Sequence, residues 1–175
     1  MRSDKIGSPA GGAPPTPVVD TDPQAELERV RGECRHDERA NGAELTEVAI
    51  PLDVRAPGAA RTVVARCLAD HVPSSVLDNA QLLVSELVSN SVLHSGAPEG
   101  DDVVVRVHLW RDKCRLEVED PGRDGVIAPQ PPDRAAGSGM GLNLVQMLSQ
   151  RWGVIRPPDG PTCVWAQLPC SRALA

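Results

Sequence analysis

The stretch Gln81-Leu82-Leu83-Val84-Ser85-Glu86-Leu87-Val88-Ser89-Asn90-Ser91-Val92-Leu93-His94 sets a carboxylate and a carboxamide four residues apart in an otherwise apolar run. Its apolar residues recur at helical spacing, and on a helix positions i and i+4 share one face. Glu86 and Asn90 therefore point the same way, at the border between the stripe Ala80, Leu83, Leu87 and the pair Leu82, Leu93. A carboxylate at such a border is destabilising unless a cation, a bound water or a polar ligand compensates it. Pro73-Ser74-Ser75 breaks the preceding chain, and either serine can N-cap the helix, with Asp78 in its first turn. Gly96-Ala97-Pro98 stops it after His94.

Outward from this helix the pattern changes period. Residues 44–54 carry Leu45, Val48, Ile50, Leu52 and Val54 and predict a strand. Pro57-Gly58 opens a helix to about residue 69, with Val63, Val64, Cys67 and Leu68 inward. Residues 102–110 and 114–119 alternate apolar and polar around the turn Arg111-Asp112-Lys113, as a hairpin does. Residues 123–136 hold three prolines and few large apolar side chains, and predict a flexible loop. A short helix follows over residues 141–150, with Leu142, Val145 and Leu148 inward. Two more strands, 152–155 and 162–168, flank Pro157-Pro158-Asp159-Gly160. The order β-α-α-β-β-loop-α-β-β predicts an α+β fold, a two-layer sandwich of a mixed sheet with helices on one face.

Composition bounds the rest. At 175 residues the chain is long enough for one domain with a core of its own. We place it at residues 44–170, after a Gly/Pro-rich, then charged, tail of residues 1–43 expected to be disordered or loosely helical, and before a tail of residues 171–175. Within the first tail, 23–39 offers little apolar face beyond Leu27 and Val30. A net charge of −6 argues against a direct nucleic-acid binder. No apolar run reaches the roughly eighteen residues of a membrane span. Residues 1–19 lack a signal-peptide core, so a cytoplasmic location is expected. Five cysteines, an odd number without Cys-x-x-Cys spacing, support neither a disulfide framework nor a zinc site. Phe and Tyr are absent, so the core must be aliphatic.

Two glycine-bearing motifs follow the Glu86/Asn90 helix. Glu119-Asp120-Pro121-Gly122 ends a strand. Its aspartate can accept a hydrogen bond from an exocyclic amine, and its glycine lets the backbone turn close to a flat ring. An Asp-Pro-Gly turn is also common at strand ends for its own sake. Gly137-Ser138-Gly139-Met140-Gly141-Leu142 immediately precedes a helix. Successive exposed N–H groups and the helix N-terminus make a phosphate cradle, and a flexible glycine hinge is the other reading of the same glycines. No βαβ strand leads into it and its third glycine comes too soon, which excludes the dinucleotide fingerprint of Rossmann folds.

In order, Glu86-x-x-x-Asn90, Asp120-x-Gly122 and Gly137-x-Gly139-x-Gly141-Leu142 resemble the N, G1 and G2 boxes of the gyrase, chaperone and histidine-kinase ATPase superfamily, whose ATP-binding domain is the Bergerat fold. The nearest resemblance, through Glu-Leu-Val-Ser-Asn and Ser-Gly-Met-Gly-Leu, is to the bacterial anti-sigma-factor serine kinases and their actinobacterial relatives. It covers about residues 45–168. It implies ATP and Mg²⁺ as cofactors. Asp120 would bind the adenine amino group and Gly122 admit the ring. Asn90 would ligate Mg²⁺, and Glu86 would be the catalytic base. Gly137, Gly139, Met140, Gly141 and Leu142 would hold the phosphates at the end of a lid. Thr162 resembles the threonine that closes the adenine pocket, although Pro161 separates it from Gly160 where the family has a Gly-Thr pair.

Arg134 is placed to reach a γ-phosphate or simply to face solvent, and His94 to approach the phosphates or only to favour the helix dipole. Asp101-Asp102 is assigned no chemistry. The resemblance further implies a sigma factor and an anti-anti-sigma (STAS-type) protein as partners, with a serine or threonine of the latter phosphorylated and a homodimer possible. Two other readings are weighed: an ATP-dependent protein-interaction module without kinase activity, and a histidine-kinase fragment with His36 as phospho-acceptor. The last lacks the two long apolar-striped helices of a dimerisation hairpin and, with no Phe, that family's Phe-bearing box.

Overall fold

Alternating Val and Leu build the sheet, and small residues let the helices lie close to it. The computed structural model describes residues 44–94, 96, 100–122, 141–157 and 160–170. Its strands are β1 (Glu44–Pro51), β2 (Asp102–Leu109), β3 (Lys113–Asp120), β4 (Arg151–Ile155) and β5 (Thr162–Pro169). Its helices are α1 (Ala56–Leu68), α2 (Ser74–His94) and α3 (Gly141–Leu148). The strand order is β1-β2-β3-β5-β4.

The expected α+β two-layer architecture holds, with one correction: the sheet is not mixed. All four pairings among the described strands are antiparallel. The crossover through α3 does leave β3 and β4 running in the same direction, but β5 lies between them and pairs with both. A parallel ladder would have needed β4 directly beside β3.

One sheet face carries Ile50, Val103, Val105, Val107, Leu109, Cys114, Leu116, Val118, Val164, Ala166, Leu168 and Trp152, and it packs into a single cluster with the helices. From α1 that cluster takes Ala56, Ala60, Val64 and Leu68, a straight i, i+4 row whose alanines let the helix approach closely. From α2 it takes Ala80, Leu83, Val84, Leu87 and Val88, and from α3 Val145. Each fully buried Leu or Val stabilises the fold by about 1.5–3 kcal/mol relative to exposure. Leu82 and Leu93 are exposed, so the Glu86/Asn90 border is one between core and surface.

The first strand ends earlier than the sequence suggests, because Asp53 turns the chain. Its carboxylate accepts the Arg55 backbone N–H at 2.7 Å and pairs with the Arg55 guanidinium at 2.8 Å. The helix then starts at Ala56, with Pro57 in its first turn, where a missing N–H is harmless. Among the described residues no helix is long and apolar enough to cross a membrane, and Cys67, Cys114, Cys163 and Cys170 are free thiols.

Candidate functional site

Helix α2 brings the first motif to the start of α3. A methyl group placed on Gly141 would stand 3.0 Å from Glu86 Oε2, 3.3 Å from Asn90 Nδ2 and 3.5 Å from Asn90 Oδ1. The glycine therefore admits both polar side chains to the helix N-terminus, where backbone N–H groups have no intrahelical partner and negative charge is favoured. Glu86 and Asn90 are half-buried, one turn apart on α2, and Leu142 is half-buried against the main core.

The second motif lies beside the first, at the end of β3. Asp120 is 7% exposed and pairs in register with Thr162 on β5. Its Oδ1 accepts the Gly122 backbone N–H at 2.9 Å, closing the Asp-Pro-Gly turn onto its own carboxylate. Its Oδ2 accepts the Ser91 hydroxyl at 3.0 Å. Thr162 donates its hydroxyl to the Gly122 carbonyl at 3.2 Å, so β5 clamps the turn from the other side. Burial pushes the Asp120 carboxyl above the usual carboxylate range, and the bonds from Ser91 and Gly122, with the more distant charge of Arg156, only partly offset it. Such a carboxylate is short of hydrogen-bond donors when ionised, and an incoming N–H would relieve it.

Ser91 is the residue that sequence reasoning passed over. It follows Asn90, is 5% exposed, and joins the two clusters through one helix turn. The signal was present: Ser91 lies four residues after Leu87 and eight after Leu83, inside the buried stripe, and a hydroxyl there must find a buried partner.

Of the other expected site residues, Gly122 is buried and His94 is exposed at the end of α2. Arg134, Gly137, Gly139 and Met140 lie outside the described residues. Among the described residues no group of three or more His, Cys, Asp or Glu side chains is placed to hold a metal ion. A divalent cation next to Asn90 would need oxygens from water or from a bound phosphate to fill its shell, which is how Mg²⁺ is commonly held.

Comparison with known proteins bears on the fold and the family. Among solved structures, the RsbU and RsbW domains of Rv1364c from Mycobacterium tuberculosis are similar with a TM-score of 0.58 at 20% identity. The likeness covers 74% of this chain and 33% of that one, so it is one of fold, and this chain spans about a third of the other's length. No curated protein matches. The sequence profile described as histidine kinase-, DNA gyrase B-, and HSP90-like ATPase matches residues 76–172, more than half of the 175. That match takes in Glu86, Asn90, Ser91, Asp120, Gly122, Gly141 and Thr162, and the chain belongs to the histidine kinase-, DNA gyrase B- and HSP90-like ATPase family.

Proposed function

We propose that a domain of residues 44–170 binds Mg·ATP and transfers its γ-phosphoryl group to a serine or threonine of a STAS-type antagonist protein, and that a sigma factor is its other partner. The observation that carries the reading is the convergence of Glu86 and Asn90 on Gly141, with the next residue, Ser91, donating to a buried Asp120 that also holds Gly122. Membership of the ATPase family supports the nucleotide, and the fold likeness to a structure containing an RsbW domain supports the anti-sigma direction.

In this reading Asp120 takes a hydrogen bond from the adenine amino group, and Gly122, pinned by Thr162, lets the ring lie against the turn. The N–H groups at the start of α3, with Gly137, Gly139, Met140, Gly141 and Leu142, hold the phosphates. Asn90 supplies an oxygen to Mg²⁺, whose charge neutralises the phosphates when bound. Glu86 accepts the proton of the acceptor hydroxyl. The hydroxyl oxygen forms a bond to the γ-phosphorus while the bond from that phosphorus to the β–γ bridging oxygen breaks, and ADP leaves. Little covalent work falls to the protein, so positioning and charge carry the rate.

The test is transfer of labelled γ-phosphate to candidate STAS-type proteins. Glu86→Ala is expected to lower the transfer rate by roughly 10²–10⁴-fold, the usual contribution of a positioned general base. It should leave ATP affinity, measured by calorimetry, within a few-fold. Transfer that survives the substitution removes Glu86 as the base. ATP binding without transfer to any candidate assigns the protein instead to nucleotide-dependent interaction modules, and no saturable adenine-nucleotide binding overturns the reading entirely.

A further inference from the structure

Pro157 closes β4 and constrains the residue before it. A residue that precedes proline is pushed into extended backbone, so Arg156 continues the pleat of β4 one step beyond Ile155. Along that pleat Val154 packs against the helix-side core, whereas Ile155 belongs to a separate cluster with Cys163 and Trp165. Alternation returns Arg156 to the helix side. Gly160 then donates its backbone N–H to the Pro157 carbonyl at 3.4 Å, turning the chain back into β5. The register fixes what lies beside Arg156. Val118, Val164 and Val154 pair in one row across β3, β5 and β4, all on the core side. Two residues further out the same row reads Asp120, Thr162 and Arg156, at the end of the sheet that Ser91 reaches from α2.

Two features set Arg156 apart from a solvated strand-end charge. It is half-buried. Among the described residues it is also the one cation whose charge acts on the Asp120 carboxyl, while Ser91 from α2 and Gly122 from the turn itself are neutral donors to it. Two strand spacings, about 10 Å, separate the Asp120 and Arg156 backbones. Between them stands Thr162, its hydroxyl turned to the Gly122 carbonyl. The row thus offers a ligand a carboxylate at one end and a guanidinium at the other.

We propose that Arg156 is a base-recognition residue of the nucleotide site, donating an N–H to a ring nitrogen beside the adenine amino group while Asp120 accepts from the amino group itself. The proposal rests on the reading of this site as one for Mg·ATP. The amino group of adenine is flanked by acceptor nitrogens, N1 on one side and N7 on the other, so an edge that suits Asp120 also suits a donor next to it. An arginine alone would favour guanine, whose O6 and N7 both accept. Beside Asp120 that preference reverses, because O6 would face a carboxylate. The pair therefore selects adenine more sharply than the carboxylate alone. A guanidinium carries five N–H donors, enough to hold a neighbour of its own and still serve the base.

Calorimetric binding of ATP, 1-deaza-ATP and 7-deaza-ATP to the full chain tests this, with the unaltered protein, Arg156→Met and Arg156→Lys. The unaltered chain is expected to bind one of the two analogues about 10- to 100-fold more weakly than ATP, the worth of one charge-assisted hydrogen bond. Arg156→Met should weaken ATP by a similar factor and abolish the difference between ATP and that analogue. Arg156→Lys, which keeps a charged donor, should recover part of both. Equal affinity of the unaltered chain for ATP and both analogues overturns the inference without any variant. So does an Arg156→Met protein that keeps its ATP affinity, or one that loses ATP and both analogues by the same factor. In each of those cases ATP still binds and the nucleotide reading stands. Absence of saturable binding of any adenine nucleotide to the unaltered chain is a different result, which removes that reading and this inference with it.

Discussion

Asp120 and Glu117 stand three residues apart on one strand, both buried, on opposite faces of the sheet, and burial acts on them with opposite outcomes. Around Asp120 the close partners are neutral donors, a serine hydroxyl and a backbone N–H, and the carboxyl is left above its ordinary range. Glu117 suffers burial as its largest influence too, but the His108 imidazole and the Arg115 and Arg106 charges overcome it and hold the carboxyl below that range. The contrast teaches how to tell a structural carboxylate from one awaiting a ligand. Glu117 has its cation in place at 2.8 Å and nothing further to gain. Asp120 is positioned by hydrogen bonds yet not neutralised, so it has acceptor capacity to offer a ligand that brings an N–H.

The largest effect that could break this comparison is on stability. Glu117→Gln removes the charge that compensates Arg115 in a face with little water, and breaking a buried pair from one side typically destabilises by about 3–5 kcal/mol. Urea denaturation should show that loss, with adenine-nucleotide affinity per folded molecule unchanged. Asp120→Asn should do the reverse. The amide oxygen can still accept from the Gly122 N–H and the amide NH₂ can donate to the Ser91 hydroxyl oxygen, which accepts as well as donates, so stability near neutral pH should change little. Its NH₂, however, cannot accept from an adenine amine, and loss of one charge-assisted bond weakens binding by about 1.5–3 kcal/mol, roughly one to two decades in Kd. If both variants unfold to the same extent, the division between the two carboxylates is wrong.

Acidity sharpens the same division. Asp120 has its folded pKa raised, so its contribution to stability is present below the ordinary carboxylate pKa and is lost as pH rises through the raised folded value. Glu117 has its folded pKa lowered, so its contribution is present above the ordinary value and is lost as pH falls through the depressed one. Nucleotide affinity should weaken on acidification through the Asp120 window, since the acceptor must be ionised, and Asp120→Asn should flatten that part of the profile. Isothermal calorimetry across the acid limb reads both.

Much of this was visible in the sequence, for identifiable reasons. Glu86 and Asn90 stood out because helix period forces i and i+4 onto one face, and the glycine of Gly141 is needed where their side chains converge. The helix-side core was readable because Val103, Val105, Val107, Leu116 and Val118 alternate cleanly. The same alternation misled on the other face. Arg115, Glu117 and His108 are the polar members of that alternation, a pattern usual for a solvated face, yet they are buried. Strand order was equally out of reach, because periodicity says nothing of which strand inserts between two others; hence the expectation of a mixed sheet. The metal assignment rests on family resemblance, the phosphate cradle on glycine N–H groups before a helix, and part of that glycine motif, Gly137 to Met140, lies outside the described residues.

The smallest expected effect falls on Ser91, and it is the most discriminating. Ser91→Ala deletes one hydroxyl from a helix whose packing needs no polar atom there, so the fold should lose only about 0.5–1.5 kcal/mol, a single net hydrogen bond. The Asp120 carboxylate would keep Gly122 but lose its contact at 3.0 Å, and burial would push its pKa further up. A purely structural serine would change the melting temperature and leave the pH profile of nucleotide binding in place. A serine that positions Asp120 should move the acid limb of that profile upward, and Ser91→Thr, which restores a hydroxyl at the same site, should return it. The direction of that displacement, not the size of the stability loss, decides whether α2 serves Asp120 as well as carrying Glu86 and Asn90.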